Sequence, residues 1–197
     1  MKPNASAKAF TLFKDYALYF VLLMLLVVIV SKDTSFLSLT NFSNILTQSS
    51  VRVIIALGVA GLIVTQGTDL SVGRQVGLAA VVSATLLQSM DNVNKVFPGL
   101  GEVPIPLVIL LVAAIGALIG LANGIIVTVM NVTPFIATLG TMLIIYGINS
   151  LYYDHVGSAP IAGFTQAYSD FTQGFFRLGG FRLSYITVYA LAAIVLM

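Results

Sequence analysis

The chain has 197 residues, of which 58% are hydrophobic and 8% charged, with a net charge of +2 and a mean hydropathy of +1.03. A soluble domain carries roughly 25% charged residues, so this chain cannot cover a water-facing globule and reads as an all-α, polytopic membrane bundle. Its Lys and Arg are scattered, which excludes a nucleic-acid partner. With no Cys and one His, thiol chemistry and a multi-histidine metal site are excluded, and no cofactor is expected.

Lys2, Lys8 and Lys14 precede an apolar run from Ala17 to Val30, the charge order of a signal peptide. The following SKDTSFLS has no small-x-small cleavage pattern, so an uncleaved first span is expected. Continuous apolarity predicts six spans: Tyr16 to Ser31, Val51 to Thr65, Leu70 to Met90, Ile105 to Met130, Phe135 to Tyr153 and Leu183 to Met197. Arg52 opens the second and can snorkel to headgroups. Pro104 and Pro106 mark the start of the fourth, and Thr133 with Pro134 form an N-cap and first-turn pair for the fifth.

Between the second and third spans lies QGTDLSVGRQ, Gln66 to Gln75. Gly67 is expected to break one helix and Asp69 to cap the next, where a carboxylate suits free N–H groups and the positive end of the dipole. Asp69 and Arg74 are five apart and do not form an i,i+4 ion pair. Arg74 reads as an inside-facing anchor or a contact to another chain. Small residues let membrane helices approach closely. Gly58 and Gly61, Gly73 and Gly77, and above all Gly116, Gly120 and Gly124 at four-residue spacing are therefore expected at helix interfaces. Asn123, Thr138, Thr141 and Asn149 are polar groups at membrane depth, suited to interhelix bonds or to the wall of a polar path.

Lysine placement puts the N-terminus inside the cell, the Lys95 loop outside, the Asn131 to Pro134 turn inside and a long Asp154 to Arg182 loop outside. Arg177 and Arg182 run against that rule. Lone His155 is expected to be solvated. In the long loop Phe164, Tyr168, Phe171 and Phe175 recur at helical spacing and predict an amphipathic surface helix, or a docking surface for a soluble partner. The terminal AAIVLM is still apolar, so the chain reads as a single transmembrane domain, residues 1 to 197, cut short.

The sequence holds no phosphate-binding loop, no HExxH, no serine elbow and no paired intramembrane carboxylates. It reads as a non-catalytic subunit whose passive pathway another subunit drives. The alternatives are a secondary carrier for a small solute and a non-transporting scaffold.

TQGTDLSVGRQVGLAAVVSATLL resembles the GGIDLSVGS-type signature of permease subunits in bacterial ribose/galactoside-type sugar ABC importers. GALIGLANGIIVTVMNVTPFIATLGTMLIIYGI resembles that family's next block, G-L-x-N-G followed by PxFIxTLGTM, and NFSNILTQSSVRVIIALGVAGLIVTQG resembles the block before. The likeness runs from about Asn41 to Tyr153 and leans to the galactoside subtype. It implies an inner-membrane permease of about ten spans, working as a homodimer or pseudo-dimer with a cytoplasmic ATPase subunit and a periplasmic sugar-binding protein. Its motif residues here are Gly67, Asp69, Leu70, Ser71, Gly73, Arg74, Gly77, Asn123, Gly124, Pro134, Phe135, Thr138, Leu139 and Gly140. The family's G-x-N-x-x-A-A coupling segment is not found before Met197, so the stretch alone is not expected to transport.

Overall fold

The computed structural model describes residues 14–65, 67–179 and 181–197. Lys2, Lys8 and Gln66 lie outside them.

Among the described residues seven helices and one hairpin follow in order. Helix α1 spans Ala17–Lys32, apolar on every side with no buried residue, as suits a helix surrounded by lipid. Lys32 sits in its last turn. A 3-10 turn, Thr34–Leu37, follows, and Asp33 caps it by accepting the Ser35 amide at 2.9 Å.

Helix α2 spans Leu39–Val64, not Val51 to Thr65. Ser38 caps it by accepting the Asn41 amide at 3.2 Å, and the polar run TNFSNILTQSS continues as helix. Three of its five hydroxyls find acceptors; within the helix Thr47 donates to the Ser43 carbonyl and Ser50 to that of Leu46. Arg52 therefore lies well inside the helix and does not open it.

Helix α3 spans Val72–Leu86, shorter than Leu70 to Met90. Beyond Leu86 the backbone leaves the helix to pair with a distant loop. The Leu87 carbonyl accepts the Thr165 amide at 3.0 Å, and Ser89 N–H donates to Gly163 at 2.8 Å. Helix α4 is Ile105–Thr128 and α5 is Pro134–His155, each with proline in its first turn. Asn131 turns the chain between them at φ 54°. Thr133 holds the N-cap position, but its side chain makes no cap bond.

Helix α6, Gln166–Gln173, carries Tyr168 and Phe171. It is shorter than the aromatic spacing suggested, because Phe164 bridges to Gln88 and Phe175 starts a strand. The aromatic face is partly covered by the chain itself: Phe171 stacks on Tyr189 at 5.3 Å between centroids. The described chain is mostly helical, as expected, with one antiparallel hairpin that the sequence reading did not include, β1 Phe175–Leu178 and β2 Phe181–Ser184. Gly179 takes φ 53° in the turn, a conformation that costs glycine little. Helix α7 is Tyr185–Leu196, capped by Ser184.

Helices α2, α4 and α5 are long and apolar enough to cross a membrane, and α1, α3 and α7 are shorter apolar helices. Two groupings organise the described chain. Helices α3, α4 and α5 pack on one another, while α2 packs on β2 and α7. Ser43 donates to the Arg182 carbonyl, and the Ser50 and Thr187 hydroxyls pair at 3.1 Å.

Candidate functional site

The head of α3 holds a hydrogen-bond network that joins α3, α4 and α5. Ser71 is its hub, with 0% exposure. Its hydroxyl donates to Asp69 Oδ1 at 2.6 Å and accepts from Gln75 Nε2 at 2.8 Å and Asn123 Nδ2 at 3.2 Å. A hydroxyl offers one donor and two lone pairs, so this one is saturated. Asn123, buried on α4, completes its amide by accepting from the Thr141 hydroxyl of α5. One chain of bonds thus runs from Asp69 to α5.

Asp69 acts differently from the helix cap expected of it. Its Oδ1 also accepts the Ser71 amide at 2.8 Å, closing a tight turn two residues before the helix. Ser71 occupies the N-cap position and makes no side-chain cap bond. A second clasp fixes the same turn from α5: the Leu70 amide donates to Thr138 Oγ1 at 3.2 Å, while that hydroxyl donates to the Pro134 carbonyl at 2.8 Å. Thr138 is itself buried.

Of the motif residues, the structure brings Asp69, Leu70, Ser71, Asn123, Pro134 and Thr138 into this network. Gly67 donates its amide to the Leu62 carbonyl at 2.8 Å, folding the end of α2 back on itself. Arg74 turns away from Asp69 and lays its guanidinium over the Tyr146 ring at 4.5 Å. Gly77 faces Asn149, whose Nδ2 would lie 3.6 Å from an added Cβ. Asn149 Oδ1 is buried without a hydrogen-bond partner. Leu139 is half-buried, and Phe135 and Gly140 are exposed.

On the α4 glycine stripe only Gly116 meets a neighbour among the described residues. An added Cβ at Gly116 would meet Gln75 Oε1 at 3.9 Å, but at Gly120, Gly124, Gly58, Gly61 and Gly73 it would meet nothing within 4 Å. The side of α4 facing its neighbours carries Val108, Val112, Ile115, Ile119 and Asn123 instead. Four residues turn a helix by about 400°, so a strict i+4 stripe drifts about 40° per step. Gly120 and Gly124 have drifted out of the interface that Gly116 touches.

Gln75 was not singled out in the sequence, although Ser71 and Gln75 stand at the i,i+4 spacing that lets polar side chains meet. On the opposite end of the three-helix group, Lys95 is buried and donates to the Leu100 carbonyl at 2.6 Å. It lines a cavity of about 710 Å³ together with Gln88, Asn92 and His155.

This arrangement has neither a nucleophile–base pair nor a phosphate cradle. It locks the start of one helix to two others through neutral bonds and one carboxylate. Residues 41–197 match the protein-family model for the permease component of the branched-chain amino acid transport system. The chain is 68% identical over 190 residues to the galactose/methyl galactoside import permease of Haemophilus influenzae, covering 96% of this chain and 56% of that protein. It is 70% identical over 184 residues to the Escherichia coli K12 protein of the same name, covering 93% and 55%. The ribose import permease of Haemophilus influenzae is 38% identical over 161 residues, covering 81% and 44%. The chain thus spans little more than half the length of the galactoside permeases it matches. No solved structure matches it. With the match running from α2 to the final residue, the chain belongs to the family of transport-system permease components.

Proposed function

We propose that this chain is part of the membrane subunit of an ATP-driven importer and forms the translocation pathway for a monosaccharide of the galactose/methyl galactoside class. The observation that carries this reading is the 70% identity over 184 residues to a galactose/methyl galactoside import permease. The chemistry agrees with it. A neutral sugar needs weak polar contacts and a route, not a counter-charge, and α4 has no charged residue along its whole length.

In this reading all six apolar helices cross the inner membrane, the N-terminus is cytoplasmic, and the described helices belong to one permease domain. A second permease copy, a cytoplasmic ATPase subunit and a periplasmic sugar-binding protein complete the importer. Alternating access follows when ATP binding and hydrolysis on the partner bias two states of the permease. The Ser71 network then serves as a rigid joint that moves α3, α4 and α5 as a unit.

Proteoliposomes holding the gene product with an ATPase subunit and a galactose-binding protein test this. ATP-dependent uptake of labelled galactose is expected. Uptake that persists without the ATPase and collapses with an ion gradient would indicate a secondary carrier, for which Asp69→Asn should abolish transport. No flux and no ATPase binding would indicate a scaffold. The family description favours a second cargo, a branched-chain amino acid. Such a zwitterion asks for charged groups or helix ends along its route, and excess leucine failing to compete with galactose would dismiss it.

A further inference from the structure

One face of α2 is polar where the described chain offers it nothing to bond. Asn44, Gln48 and Arg52 recur every four residues and are each exposed. At about 100° per residue they share roughly 80° of arc. Among the described residues none of their side chains has a hydrogen-bond or ion-pair partner. The opposite face behaves differently, since Ser43 and Ser50 bond Arg182 and Thr187. Ser50 meets Thr187 in the first turn of α7. Gln48 and Arg52 therefore stand level with the first turns of apolar α7, at a depth where an unsolvated guanidinium is costly.

The same face continues past the polar residues. Ile55, Val59 and Leu62 follow on its arc and wall a groove of about 580 Å³ whose far side is Asp69, Val72 and Gly73 at the head of α3. Asn44 to Leu62 covers about 27 Å of helix, close to the roughly 30 Å of a hydrocarbon core. A polar mouth thus leads along one helix face to the Asp69 turn.

We propose that this face of α2 lines the solute route and that Asn44, Gln48 and Arg52 are successive hydrogen-bonding steps for a neutral polyhydroxylated solute of hexose class. The proposal rests on the permease reading above. Two carboxamides both donate and accept, the guanidinium donates five N–H bonds, and a sugar hydroxyl answers either kind. Helices α1, α2, α3, α4 and α7 carry no acid, α5 carries Asp154 only near its end, and Asp69 is engaged by Ser71. Packing any of the first five against this face would bury Arg52 without a counter-ion. In the proposed route water and passing hydroxyls solvate it, and the apolar groove beyond keeps the hold weak enough for release.

The chain contains no Cys, which makes thiol labelling clean. Asn44→Cys, Gln48→Cys and Arg52→Cys, with Ile54→Cys as the off-face control, are placed in the importer in liposomes. Each is exposed to a charged, membrane-impermeant methanethiosulfonate. The three on-face thiols should react at least about tenfold faster than the control, because a thiol in hydrocarbon keeps its proton, and galactose should slow labelling at 48 and 52. Equal rates at all four positions, or no reaction at the three, overturn the route. On-face labelling that galactose leaves unchanged in an importer that moves galactose overturns the solute assignment. An importer that moves no galactoside refutes the permease reading instead, and the labelling pattern then still decides whether the face is water-filled.

Discussion

Ser71→Ala should loosen the joint between α3, α4 and α5 more than any other removal of a single oxygen in it. The hydroxyl is fully buried and serves three partners at 2.6, 2.8 and 3.2 Å. A hydrogen bond to a charged group contributes about 1.5–3 kcal/mol and a neutral one about 0.5–1.5. The three do not simply add. Asp69 keeps its bond from the Ser71 amide, and Asp69 and Gln75 are only half-buried, so water can replace part of what they lose. Asn123 is 6% exposed, so its Nδ2 is left unsatisfied at about 1–3 kcal/mol. The expected net loss is about 3 kcal/mol, read by SDS-titrated unfolding in mixed micelles. A cycle with Asn123→Ala should return a coupling of about 1 kcal/mol. A Ser71→Ala loss under about 1 kcal/mol, with no coupling to Asn123, would refute the network as a mechanical joint.

Asp69→Ala should reduce membrane abundance before it alters sugar preference, because its carboxylate holds the turn through Ser71; normal abundance with a changed competition profile in uptake would contradict this. Asp69→Asn keeps an acceptor oxygen and should be milder. Gly120→Ala should stabilise the chain by about 0.5–1 kcal/mol through helix propensity, since the added Cβ meets nothing within 4 Å, whereas a loss of assembly would show another helix seated there. Gly163→Ala should cost about 2 kcal/mol in the same unfolding assay, from left-handed backbone and crowding; φ is +75° and the new Cβ would stand 2.5 Å from Asn92 Nδ2. Asp33 lies outside the spans, and the Ser35 hydroxyl and then its amide hold the carboxyl below its ordinary value of 3.8. A depressed folded-state value stabilises above the ordinary pKa and is lost as pH falls through the folded one. Asp33→Asn should therefore flatten the acid limb below about pH 4 in a pH-resolved melt, and an unchanged limb would dismiss the cap.

Where the text of the chain spoke plainly, local chemistry decided the outcome. Pro104, Pro106 and Pro134 have no N–H to lose and start α4 and α5 where the sequence places them. Apolarity failed at the start of α2, because Ser38 caps a polar stretch some of whose hydroxyls bond within the helix and across to α7. It failed at the end of α3, because Leu87 and Ser89 pair with residues more than seventy positions away. The hairpin was legible in principle: FRLGGFRLS repeats a three-residue strand around Gly-Gly, the signal of a tight turn. Long apolar runs on either side masked it.

By itself the sequence determines that this is a membrane chain with little charge to bury, and which polar residues sit among its apolar runs. Those are properties of composition and local order, set by what lipid will tolerate. Which of the polar residues meet is a property of packing. Ser71 and Asn123 are 52 positions apart, and only the crossing of α3 and α4 brings them to 3.2 Å. Gly120 and Gly124 share a spacing with Gly116 but not its neighbour, because helix rotation, invisible in the letters, selects which side is covered. Arg52 became informative in the same way: its meaning depends on how far α2 extends on either side of it and on which face α7 leaves open.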